Sequence, residues 1–262
     1  MKLNEQQNFG SEQLGDDKLG TSITVARAAE EAAWIQSVSS RSSEFFPQAW
    51  TAINKKFYPR FPRVQLENVD NGKDSKHLET LENRHSCRQF TSAPISLETL
   101  TNLLGIVAKT RSGERPRRVY PSAGMRWPVE WYLAAINVES LDTGIYHYES
   151  FEHALELLRP GEHWQSLTKA FEMQDIDQPA AVLILTSAFH RSWIKYGARG
   201  SRFAYMEVGA AAMCLDLVAT ETNIGVVWLG GFVDSIVAEL LDIDWQMELE
   251  APVLCLALGH PK

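Results

Sequence analysis

Two runs of strand length, residues 181–186 (AVLILT) and 253–258 (VLCLAL), are apolar almost without interruption. A strand with one face in water alternates apolar and polar residues, so an unbroken run demands cover on both faces. Each run therefore belongs inside a sheet with other elements packed above and below it. Between them, Phe203, Met206, Ala210, Met213, Leu217 and Val218 recur near helical spacing and predict a long helix over 202–222. Strands are predicted at 129–136, where Trp, Tyr, Val and Ile are enriched, and at 144–148 and 226–229. Ser96 ahead of Leu97, Leu100, Leu103 and Leu104 predicts an N-capped helix that ends near Ala108, and a shorter helix is predicted at 235–241. The pattern has no internal repeat and is that of an α+β protein.

The first twenty residues contain no basic start followed by an apolar run, so no secretion signal is predicted and the expected location is the cytoplasm. Residues 1–50 read as an extension, a frayed tail and then a helix over 25–38. Pro47, Pro59, Pro62 and the polar run 70–76 mark loops, and the body of the protein is expected from residue 51 to 262. The 25 Lys and Arg against 33 Asp and Glu leave a net charge of −8, which opposes broad contact with nucleic acid. The apolar stretch 180–189 is far short of the roughly 20 residues that cross a bilayer, so no membrane span is expected. Cys87, Cys214 and Cys255 are odd in number and widely spaced, which predicts free thiols rather than disulfides or a zinc site. The histidines lack ligand spacing, and no metal is expected.

Four segments carry groups capable of chemistry. Arg84, His85, Ser86, Cys87, Arg88, Gln89 and Phe90 place two guanidinium groups and a hydroxyl within seven residues. Were the segment helical, Arg84 and Arg88 would share a face and could clamp one anion while Phe90 packs inward. Solvated arginines, or a pair with Glu82, account for the spacing equally well. Arg117, Arg118, Val119 and Tyr120 lead into Pro121, Ser122, Ala123 and Gly124, a turn ahead of a strand, where small residues let backbone amides approach a flat ligand, or an ordinary surface turn.

Lys195 and Tyr196 follow a central strand and precede Gly197 and the long helix. Neighbours in a strand point to opposite faces, so joint acid and base action requires a turn or a helical start. With a lysine pKa of about 10.4, only roughly one in 2,500 is neutral at pH 7, so burial has to lower it. A lysine stem lying beside a packed tyrosine is the plain alternative. Finally, the strand at 226–229 ends in Gly230 and Gly231, which either expose backbone amides to a ligand or simply turn the chain.

Taken in this order, the segments resemble the nitroreductase-type flavoprotein superfamily and its SagB-type (McbC-like) branch, the azoline dehydrogenases. The likeness runs from about Lys55 to Pro261 and includes Arg202, Phe203, Ala204, Tyr205, Met206, Glu207, Val208 and Gly209, and the closing Leu258, Gly259, His260 and Pro261. The resemblance implies an FMN-binding sandwich of helices on a central, mostly antiparallel sheet, with FMN at a homodimer interface. It implies that Arg84, His85, Ser86 and Arg88 hold the phosphate, ribityl chain and pyrimidine edge. It implies that Pro121, Ser122, Ala123 and Gly124 line the ring, and that Gly230 and Gly231 present amides near N5. Lys195 and Tyr196 would be the catalytic pair.

The implied reaction removes two hydrogens from a thiazoline or oxazoline, giving the azole, with oxygen restoring the flavin. The implied substrate is a ribosomal precursor peptide whose rings a separate cyclodehydratase has closed. A carrier-bound thiazoline of a nonribosomal synthetase, an NAD(P)H-dependent nitroreductase and a noncatalytic flavin scaffold in a synthetase complex are the alternatives. Many relatives carry further basic residues after the Gly-x-Pro, where this sequence ends at Lys262, so a lighter phosphate site is expected.

Overall fold

Alternation within the two apolar runs sorts their side chains onto opposite faces of one sheet. The computed structural model describes residues 16–34, 56, 58–66, 76–172 and 174–262. Its elements begin with α1 (Asp16–Ala33), α2 (Lys76–Asn83), β1 (Ile95–Ser96), α3 (Leu97–Val107), β2 (Val129–Ala135), β3 (Val138–Glu139), β4 (Gly144–Glu149) and β5 (Ala154–Pro160). They continue with α4 (Trp164–Ala170), β6 (Ala181–Ala188), α5 (His190–Tyr196), α6 (Arg199–Glu221), β7 (Gly225–Leu229), α7 (Asp234–Leu241), α8 (Trp245–Glu248) and β8 (Glu250–Gly259). The main sheet runs β5-β4-β2-β6-β8-β7 with every pairing antiparallel, and β1 with β3 forms a small parallel pair beside it.

The two apolar runs are β6 and β8, neighbours at the centre of this sheet, with Ala181 opposite Leu258 and Ile184 opposite Cys255. Leu183, Leu185, Leu256 and Leu258 face one side, where they meet Leu100, Leu103 and Leu104 of α3 and Val208, Ala211 and Leu215 of α6. Val182, Ile184, Cys255 and Ala257 face the other and meet Leu167 and Ala170 of α4 and Val237 and Leu241 of α7. Burying each large apolar side chain contributes about 1.5–3 kcal/mol, so the double cover is what holds the sheet. Ser96 caps α3 as its sequence predicts, its hydroxyl accepting from Thr99 N at 3.1 Å.

A third cluster sits where β6 ends and β8 begins. Phe189 and Trp193 stack at 5.4 Å, Trp245 meets both edge-on, and Ala26 of α1 closes the group. Ser22 Oγ accepts from Ala198 N at 2.8 Å, and Glu31 accepts from Trp245 Nε1 at 2.8 Å, so α1 is fastened across the α5–α6 junction.

The helix predicted over 25–38 begins earlier, at Asp16, because contacts with α5, α6 and α8 compensate for Gly20 and the β-branched Thr21, Ile23 and Thr24. Its predicted end, the frayed tail, most of residues 51–57 and the run 70–75 lie outside the described residues. Of the turn or helical start required after β6, the chain forms the helix, α5. The edge strand β5 went unpredicted because its mostly exposed residues carry little apolar alternation. By length and composition α6 could cross a bilayer, yet 44% of its apolar window is packed inside the protein, as in a core helix.

Leu183→Ala is expected to cost about 2–5 kcal/mol in urea unfolding. Leu158→Ala, on the exposed edge strand, is expected to cost under about 1 kcal/mol.

Candidate active site

Segment 84–90 owes its shape to the sheet. Ser86 pairs in parallel with Val226 of β7, Cys87 N donates to Val226 O at 2.9 Å, and Phe90 pairs with Pro261. Two glycines make room for it: a Cβ on Gly225 would lie 2.6 Å from Cys87 Sγ, and one on Gly259 would lie 2.6 Å from the Phe90 ring. The segment is therefore extended. The helical alignment of Arg84 with Arg88 is not formed, because the open edge of β7 offers the backbone partners that an extended chain can take.

Cys87 and Phe90 are the buried anchors, as expected for Phe90 and for a cysteine acting as a small hydrophobe. Burial raises the Cys87 thiol above its ordinary pKa, and all three cysteines are free. His85, Ser86 and Arg88 stay exposed and line a 420 Å³ cleft with Asp175, Asp177, Pro261 and Lys262. Arg84 turns instead toward Asp216 of α6, 3.5 Å away, and Asp216 also accepts from Trp228 Nε1 at 3.1 Å. Burial raises the Asp216 carboxyl, and Arg84 opposes that shift. Lys262 pairs with Asp177 at 2.8 Å.

The turn at 121–124 is tight and meets α5. Gly124, Met125 and Trp127 all have positive φ, at 60°, 54° and 49°, and Ser122 Oγ accepts from Trp127 N at 2.9 Å. A Cβ on Gly124 would fall 2.7 Å from Lys195 Nζ and closer still to Tyr196 Oη. Adjacent residues on a helix diverge by about 100°, not the 180° of a strand, so α5 lets both side chains reach one point.

Two arginines lock helix to turn: Arg126 Nε donates to Arg191 O at 2.8 Å, and Arg191 Nη1 donates to Trp127 O at 2.8 Å. Arg191 also pairs with Glu130 of β2. Burial works to raise Glu130, but His147 and Arg191 outweigh it and hold the carboxyl below its usual range. The hydrogen bond to Glu130 in turn leads His147 up to about 9.

The burial of Lys195 that the sequence argument requires is not supplied by one chain. Lys195 is exposed, on the side of a two-turn helix away from buried Trp193, and Tyr196 is half-buried with its ring edge-on to Phe203 at 4.8 Å. Gly230 and Gly231 follow β7, where Gly231 O accepts from Gln174 Nε2 at 2.9 Å. Gly230 lines a 130 Å³ cleft with Glu30, Trp34 and Tyr205. One chain thus joins the 121–124 turn to Lys195 and Tyr196, and places segment 84–88 and Gly230 toward opposite ends of β7.

Sequence reasoning gave no role to Glu207, Asp216 and Arg118. Glu207 is 3% exposed and is pushed up to about 7 by burial, with Ser122 and Arg118 opposing the shift. Its signal was present: residues three and four away on the helix, Phe203, Ala204, Ala210 and Ala211, are all apolar, which places this carboxylate on a covered face.

Residues 81–260 match the nitroreductase family. MJ1384 of Methanocaldococcus jannaschii, named as a nitroreductase, is 30% identical over 198 residues, 75% of this chain and 96% of that protein. The microcin B17-processing protein McbC of Escherichia coli is 31% identical over 158 residues, 57% of this chain and 57% of McbC. A chain of the E. coli microcin synthetase McbBCD complex, solved with truncated pro-MccB17 bound, has the same fold at a TM-score of 0.75 and 21% identity. That match covers 97% of this chain and 100% of the other. A protein of Anabaena variabilis named as a nitroreductase aligns at a TM-score of 0.62 and 26% identity, over 71% of this chain and 38% of that one.

A carboxyl raised from 4.5 to about 7 favours the fold when protonated, and that advantage is lost as pH rises from 4.5 through 7. Glu207→Gln should therefore melt above the wild type at pH 8, by on the order of 3 kcal/mol. The gap should close below pH 4.5, which thermal melts across pH will check.

Proposed function

This chain belongs to the nitroreductase family, and from that footing we propose that it is an FMN-dependent azoline dehydrogenase acting on a ribosomal precursor peptide. The observation that carries this reading is the meeting of Lys195 and Tyr196 at Gly124. The likeness to McbC supports it.

The residues present fit FMN. His85, Ser86, Arg88 and Lys262 offer a phosphate charged and neutral donors around one cleft, and Gly124 is a cradle that a side chain would fill. Among the described residues Arg88 has no ion pair, whereas Arg84 is engaged by Asp216 and Lys262 by Asp177. Pro121, Ser122, Ala123 and Gly124 would lie along the ring, and the amides of Gly230 and Gly231 would face its N5 edge. When bound, FMN supplies the acceptor for two electrons and one hydrogen, the loss of which, with one proton, turns a thiazoline or oxazoline into its azole.

The chain's own part is the proton. Lys195 Nζ or Tyr196 Oη takes it from the ring carbon, and their common approach to Gly124 lets the second group share or relay it. Such acid–base assistance contributes about 10²–10⁴-fold in rate. Ile194, next to the pair on α5, and Met206 on α6 are 65% and 58% exposed. A second copy docked on this face, forming a homodimer, would cover Lys195 and supply the burial that one chain lacks. A cyclodehydratase or synthetase is the proposed source of the ring-bearing substrate, in the cytoplasm.

The likeness to MJ1384 favours a second reading, reduction of nitro compounds or quinones with NAD(P)H. Lys195→Ala with Tyr196→Phe separates the two. Azole formation, read as loss of two hydrogens by mass spectrometry, should fall at least about 10²-fold with flavin content unchanged. Undiminished azole formation would contradict the assignment.

A further inference from the structure

The 130 Å³ cleft beside Gly230 has walls that the proton transfer at Lys195 and Tyr196 does not use. Its volume is that of about four water molecules, room for a charged headgroup and its first methylenes rather than for a flavin. Three aromatic side chains line it: Trp34 just past the end of α1, Phe189 just past the end of β6, and Tyr205 on α6. Phe189 and Tyr205 meet edge-on at 5.5 Å. Two carboxylates join them, Glu30 of α1 and Asp234, the first residue of α7.

Glu30 is the member that needs a reason. It is 8% exposed, stands four residues before Trp34 and accepts from Tyr205 Oη. A glutamine would accept the same hydrogen bond, and an amide costs less to bury than a carboxylate. Glu31, the next residue, shows the contrast, since Arg27 Nε lies 3.3 Å from it and Trp245 Nε1 2.8 Å. Among the described residues, no lysine or arginine lines the cleft. Burial and the charges of Glu30 and Asp234 hold the Tyr205 hydroxyl above its ordinary pKa, so it remains a neutral donor and acceptor.

Aromatic rings and carboxylates around one small volume favour the same guest, a cation, which is drawn to ring faces and charged oxygens alike. A metal ion asks for a larger set of ligands, and among the described residues no group of three His, Cys, Asp or Glu side chains could hold one. A guanidinium is a broad planar fork. A primary ammonium is a compact charge with three donors on a slim stem, and it matches the volume.

We propose that this cleft binds a primary ammonium group of the substrate, carried by a lysine near the ring or by the peptide's amino terminus, and that Glu30 is the residue that selects it. The proposal rests on the reading of the chain as an azoline dehydrogenase with Gly230 at the N5 edge of the flavin, and it names which peptides that site takes. It also gives α1 a function. The helix lies outside residues 81–260 that match the family, yet it is fastened to the body through Ser22 and Glu31 and brings Glu30 to the cleft.

The test uses the full-length, FMN-loaded protein and synthetic thiazole peptides, the product form, which bind without turnover. Each carries lysine or norleucine at one of the two positions before or after the ring, with the amino terminus free or acetylated. Calorimetry should show lysine at one position, or the free terminus, binding about tenfold tighter than its uncharged counterpart, the effect of one charge-assisted hydrogen bond. Which of the two carries the preference assigns the source of the ammonium. n-Butylammonium should compete with the preferred peptide, and n-butanol should not. Glu30→Gln, which still accepts from Tyr205, should bring the ratio of the two dissociation constants to about one, and Trp34→Ala should lower it and serves if Glu30→Gln fails to fold. Equal binding of every charged and uncharged pair by the wild type, or a preference that both variants keep, would overturn the proposal. A wild type that prefers the charged thiazole peptide but does not oxidise its thiazoline form would uphold the ammonium site and reject only the dehydrogenase reading.

Discussion

Everything in this protein is built around strands that cannot tolerate water on either face. β6 and β8 place leucines on one side and Val182, Ile184, Cys255 and Ala257 on the other, so helices must cover both. α3 and α6 supply one cover and α4 and α7 the other. That arrangement fixes where chemistry can occur, since the interior of the sheet is full. The groups proposed to act are left to the loops and short helices at its ends: α5 after β6, the glycines after β7, and the segment that seals the edge of β7.

A short helix carrying Lys195 and Tyr196 would wander without restraints, having no side-chain cap and only two turns. It is held by Trp193 in the aromatic cluster, by reciprocal arginine bonds with the 122–127 loop, and by the bond from Ala198 N to Ser22 of α1. The turn opposite is held by Trp127 N donating to Ser122 Oγ. Precision at Gly124 thus comes from polar contacts distributed over β2, α5 and α1. Such contacts fix geometry more than they add net stability.

The sequence makes the apolar skeleton legible because periodicity reports burial directly. β6, β8, the Ser96 cap, α3 and α6 all follow from it. It is less informative where a neighbour decides the conformation. Segment 84–90 is extended because β7 presents an open edge and because Gly225 and Gly259, more than 130 residues later, leave holes for Cys87 and Phe90. α1 starts at Asp16 because Ser22 and Ala26 find partners in α5, α6 and α8. The four motifs were legible as candidates, and the turn with Lys195 and Tyr196 does come together. Arg84 is engaged by Asp216, and Glu207 and Arg118 were hidden because a charged residue reads as solvent-facing until its apolar neighbours are counted.

The proposed reaction takes two electrons and two hydrogens from an azoline ring. The most direct measurement is an anaerobic titration of the FMN-loaded protein with a thiazoline-bearing peptide, following the visible absorption of the oxidised flavin. Bleaching with each equivalent of peptide, and recovery when air is admitted, is the expected result. A flavin that stays oxidised with the peptide but bleaches at once with NADPH would contradict it and assign the protein to the reductases of its family.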